Sequence, residues 1–66
     1  MKPEEYRKII QDAISKEVES YTFYRSVYEK VKDGALKSTF NELAGEEKKH
    51  REFLEGLQRW LRPAAL

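Results

Sequence analysis

Only one stretch of this sequence is built to reverse the chain. Lys32-Asp33-Gly34-Ala35 is the single strong cluster of turn-forming residues, and long helical patterns flank it on both sides. Before it, Tyr6, Ile10, Ala13, Glu17, Ser20, Tyr24, Val27 and Val31 recur at alternating steps of four and three. After it, Leu36, Phe40, Leu43, Glu47, His50, Leu54, Leu57 and Leu61 do the same. That spacing is the inward stripe of a bundle helix. Ile9, Ile14, Tyr21, Tyr28, Ala44 and Phe53 widen the two stripes.

The pattern predicts an all-α chain: one domain over residues 1–66, folded as an antiparallel two-helix hairpin. The helices are expected over about 3–32 and 35–61, with the turn at 33–34. Pro3 suits a first helical position, and Glu4 and Glu5 suit the positive end of the helix dipole. Gly34 reads as a helix C-cap with positive φ, and Pro63 as the stop of the second helix. At ~1.5 Å per residue each helix is on the order of 40 Å long.

The stripes contain four polar exceptions: Glu17 and Ser20 in the first, Glu47 and His50 in the second. In an antiparallel hairpin turning here, residues whose numbers sum to about 67 stand at the same height. Glu17, Glu47 and His50 therefore converge on one level near the middle. A buried carboxylate is costly unless it is paired, hydrogen-bonded or metal-bound. Two of them in one core repel, and one is driven towards protonation. Neither stripe supplies a Lys or Arg to neutralise them; a cation would. Glu47 and His50, three residues apart, lie on one helix face and can hold the same ion.

The chain's 66 residues include no cysteine, which excludes disulfides and thiolate metal sites. A core this small needs help, leaving N/O metal ligation, self-association, or both. Charged residues make up 38% of the chain yet net to only +1, interleaved as on solvated helix faces. No basic block suggests a nucleic-acid partner, and no apolar run suggests a membrane span. The lack of cysteine fits a cytoplasmic protein.

Two helices leave a long apolar stripe open, which predicts a homodimer forming a four-helix bundle, with further assembly allowed. A dimer would gather four glutamates and two histidines. This is the inventory of the di-iron carboxylate bundles: one Glu from each of two helices and Glu-x-x-His from each of the other two.

The segment from Lys16 to Leu57, carrying Glu17, Tyr24 and Glu47-Lys-Lys-His50, resembles the first half of a ferritin-like, rubrerythrin-type domain. Family members carry four helices with the motif pair repeated; this chain has one pair. The resemblance therefore implies either a homodimer or a piece of a longer protein. It implies two iron ions per dimer and oxidation of Fe(II) by oxygen or peroxide, in iron handling or oxidative-stress defence. It further implies that Glu17 and His50 are terminal ligands and that Glu47 bridges the metals. Tyr24 would hydrogen-bond a ligand carboxylate or be oxidised itself. The ligand types also suit Mn or Zn. Without cysteine the chain lacks the iron–thiolate domain that serves rubrerythrins as electron donor, so the donor stays open. The competing expectation is a helical dimerisation module, either metal-free with its polar residues setting register or with a structural metal. Tyr6, Tyr28 and Trp60 are expected to pack. Gly45 is expected to admit a neighbouring helix or a water, or to have no role.

Overall fold

The computed structural model describes residues 1–61. Two helices form it: α1, Pro3–Lys30, and α2, Gly34–Trp60, packed along their length as an antiparallel hairpin. The expected stop at Pro63 and the tail from Arg62 to Leu66 lie outside the described residues. The hairpin measures 52 × 17 × 15 Å.

Local chemistry sets the helix ends. Pro3 occupies the first turn of α1, and the Glu5 carboxylate accepts from the Lys2 backbone N–H at 3.4 Å. The turn differs from expectation. Val31 is extended, α1 ends at Lys30, and no glycine has positive φ. Gly34 is instead the first residue of α2. The reason is Asp33, whose carboxylate accepts from the Leu36 N–H at 2.9 Å and so caps α2. An N-cap aspartate starts a helix at the next residue, so the reversal falls on Val31–Asp33.

The expected register holds, but the seam is rotated. Gln58 donates to Gln11 at 2.6 Å, Arg25 to Asn41 at 3.3 Å, and Arg7 to the Leu61 carbonyl at 3.2 Å. Yet the two buried residues are Ile14 and Ala44, assigned above to the flanks. Arg7, Tyr21, Tyr28, Lys37, Arg51 and Gln58 share that half-buried line. The stripes are wider than one helix contact can cover, and small Ala44 lets the helices meet there.

Both ends are clamped. Arg7 of α1 caps a C-terminal carbonyl of α2, and Lys37 of α2 donates to the Tyr28 carbonyl near the end of α1. These carbonyls lack helical partners of their own. The Tyr28 ring carries Lys37 Nζ at 4.1 Å and Arg25 at 4.6 Å, so Tyr28 packs against cations.

The other half of each stripe stays open. Helical periodicity places Tyr6, Ile9 and Phe23 of α1 on the same side of the hairpin as Leu36, Phe53 and Trp60 of α2. All six are exposed, Phe53 at 68% and Trp60 at 79%. The expected packing of Tyr6 and Trp60 is therefore absent, because nothing in one hairpin stands over that face. A Cβ on Gly45 would meet nothing within 4 Å, so no neighbour uses the space there. No helix is long and apolar enough to cross a membrane.

Candidate metal centre

Near mid-length the seam brings three of the predicted residues together. Glu17 comes from α1, Glu47 and His50 from α2, and one ligand atom of each lies within 4.8 Å of the others. His50 Nδ1 stands 3.5 Å from Glu17 Oε2 and 3.8 Å from Glu47 Oε2. The two glutamate side chains are 23% and 19% exposed, whereas the His50 side chain is 57% exposed. The expectation of a core histidine is thus corrected for the single hairpin. The seam turned towards Ile14 and Ala44, which left His50 on the rim beside the open face.

The electrostatics are those of a site short of positive charge. The neighbouring Glu17 carboxylate, chiefly by sharing a hydrogen bond, together with burial, raises Glu47 above the usual carboxylate range. His50 pulls the other way without cancelling the effect. Glu17 Oε2 is buried and has no hydrogen-bond partner. A cation between the three groups would offset the repulsion between the two carboxylates and give that oxygen a partner. Hard carboxylate oxygens with one imidazole suit Fe(II), Mn(II) or Zn(II), so these residues fit a metal ion.

Tyr24 lies outside this group. Its ring packs edge-on to Phe23 at 5.7 Å and against Phe40 at 6.2 Å. Among the described residues no hydrogen bond joins its hydroxyl to either carboxylate. Arg51, one turn after Glu47, was missed as a seam cation. It is half-buried, stands 3.8 Å from Glu55, and its Nε lacks a hydrogen bond. It follows Glu47 by four residues, a spacing that would have revealed it had the seam been placed correctly.

Comparison with known proteins bears on this geometry. The rubrerythrin family model matches residues 8–65, which is most of the chain. The chain belongs to the rubrerythrin family. No curated protein and no solved structure matches it. Rubrerythrin membership accounts for an all-helical hairpin with a Glu/His group at mid-length. The matched range includes all three candidate ligands.

Proposed function

We propose that this chain is a di-iron, ferritin-like module that oxidises Fe(II) with oxygen or peroxide, its metal site shared between two copies. One observation carries the reading: two glutamates and a histidine converge within 4.8 Å, a buried glutamate oxygen among them lacks a partner, and the group opens onto an apolar face. One hairpin offers three ligand residues. A second copy related by a two-fold axis would bring the total to four glutamates and two histidines, enough for two ions.

A bound pair of ferrous ions would supply the electrons that reduce the oxidant. The chain's own residues would do the rest. Glu17 and His50 would each hold one ion from the side. Glu47 would be the ligand shared by both ions, and its raised affinity for a proton would compete with metal binding. The apolar residues around the site would limit water once the face is covered. Tyr24 would be a nearby phenol able to yield an electron and a proton.

Native mass spectrometry before and after anaerobic Fe(II) addition tests this. The expected species is a dimer with two metal ions, both lost in Glu47→Ala. Oxygen should then bring up ferric absorption, several-fold more slowly in Tyr24→Phe, whose metal uptake should be intact. A dimer that takes up no metal would sink the reading. Because the donor set equally suits Zn or Mn, a structural metal centre is the second reading. Metal uptake with no ferric signal would select it.

A further inference from the structure

We infer that Arg51 is a two-position counter-cation for the Glu17–Glu47–His50 group: it pairs with the two glutamates when they hold no ion and withdraws to Glu55 when they do. The inference rests on the metal-site reading above and concerns only what this chain's own arginine does with and without the ion.

Two buried side-chain atoms lack a hydrogen-bond partner among the described residues, and they are opposite in kind. One is Glu17 Oε2, an acceptor on an anion. The other is Arg51 Nε, a donor on a cation. The register that sets Glu17 level with His50 puts Arg51 one residue further on, in the same layer of the seam. A buried donor and a buried acceptor each cost free energy while unmet, and their pairing recovers it.

The present partner of Arg51 is a weak one. Its Nε stands 3.8 Å from Glu55 Oε1, too far for a hydrogen bond. Glu55 is also the most exposed of the three acids, so that pair is the most screened. The arginine precedes this acid along the helix, which is the poorer order for a pair four residues apart. Glu47 precedes Arg51 by four residues, the better order. Helical side chains lean towards the N-terminus of their helix, and from Arg51 that is the direction of Glu47. The guanidinium fork has donors enough for an oxygen of each glutamate.

An ion reverses the balance. A divalent cation on Glu17, Glu47 and His50 repels a guanidinium one turn from Glu47 and takes the lone pairs that would accept from it. Glu55 is then the acid left to Arg51. The arginine thus competes with the metal for the same oxygens, while keeping the two carboxylates from repelling each other before an ion arrives. It is a positioning residue, acting on the metal through the glutamates.

Zn(II) alone serves as the probe. Binding to wild type and variants would be measured by isothermal titration at one protein concentration, with metal counted by native mass spectrometry. Arg51→Met keeps the apolar stem and removes the charge. It should bind Zn(II) on the order of tenfold more tightly, the worth of one charge-assisted hydrogen bond no longer broken. Unchanged or weaker binding would overturn the proposal. Arg51→Lys keeps the charge and should restore the weaker binding; a lysine variant as tight as the methionine one would put the effect in the stem and overturn it too. Melts in chelator read the pair without metal. Loss of the arginine should destabilise wild type more than it destabilises Glu17→Gln, and an equal loss in both would overturn the pairing. If Arg51→Met does not fold, the Arg51 Nε–H resonance of wild type, assigned by its loss in Arg51→Lys, decides: it should shift on Zn(II) addition, and a fixed signal would sink the two positions. Zn(II) bound with equal losses in chelator would keep the metal reading and overturn this one. No Zn(II) bound, with unequal losses, would sink the metal reading and bear out the arginine pair.

Discussion

Glu47 is the residue on which a proton and a bound metal would compete. Its pKa is raised in the fold by Glu17 and by burial, against the pull of His50. The sign follows from linkage. A group that binds its proton more tightly when folded supports the fold below its unfolded pKa, and that support is lost as pH rises through the folded value. The metal-free hairpin should therefore lose stability as pH climbs from the ordinary glutamate range through the raised value. Glu47→Gln, which mimics the protonated acid, should flatten this dependence and raise the metal-free melting temperature at neutral pH while abolishing metal uptake. Melts in chelator across that pH range check it, and a melting temperature lower than wild type would contradict it. The convergence of all three candidate ligands was legible in the sequence, because acids and an imidazole stood in an apolar stripe. The rim position of His50 was not. Spacing gives the face of a helix but not which part of a wide face the neighbour covers. Here small Ala44 decided that.

Among the elements, the helices were legible from their periodicity and the turn was not. Asp33 and Gly34 each offered a way to end or begin a helix, and propensity could not rank them. The Asp33 side chain did, by capping α2. Asp33→Ala should cost about 1 kcal/mol, the usual loss for an N-cap, read by chemical denaturation. Gly45 lies mid-helix with open space around its Cβ position. Gly45→Ala should therefore stabilise by about 1 kcal/mol. A loss instead would mean that another helix comes close there. The end clamps escaped the sequence reading for a simple reason. Arg7 and Lys37 sit in the seam as cations, and a hydrophobic count skips them.

The whole molecule is more extended than a compact domain of its length. Its radius of gyration is 15.4 Å, against roughly 11 Å for a compact domain of this length. Six large apolar side chains line one face in the open. In an isolated hairpin, substitution of a residue as exposed as Phe53 should change stability by less than about 0.5 kcal/mol. If a second copy covers that face, Phe53→Glu should instead yield monomers by sedimentation equilibrium and lower the melting temperature by many degrees. An unchanged profile would show that Phe53 stays in solvent.

The rim position of His50 has a consequence for how such a centre would behave in a cell. If the site is shared between two copies, each chain would carry half a cup, open to solvent, and a second chain would serve as its cover. Loading would then need no channel, because an ion can settle on the half-cup before the cover arrives. Retention would become a matter of mass action: dilute protein would release its cargo, and crowded protein would keep it. The amount of this chain made, rather than any gate built into it, would set how long an ion is held.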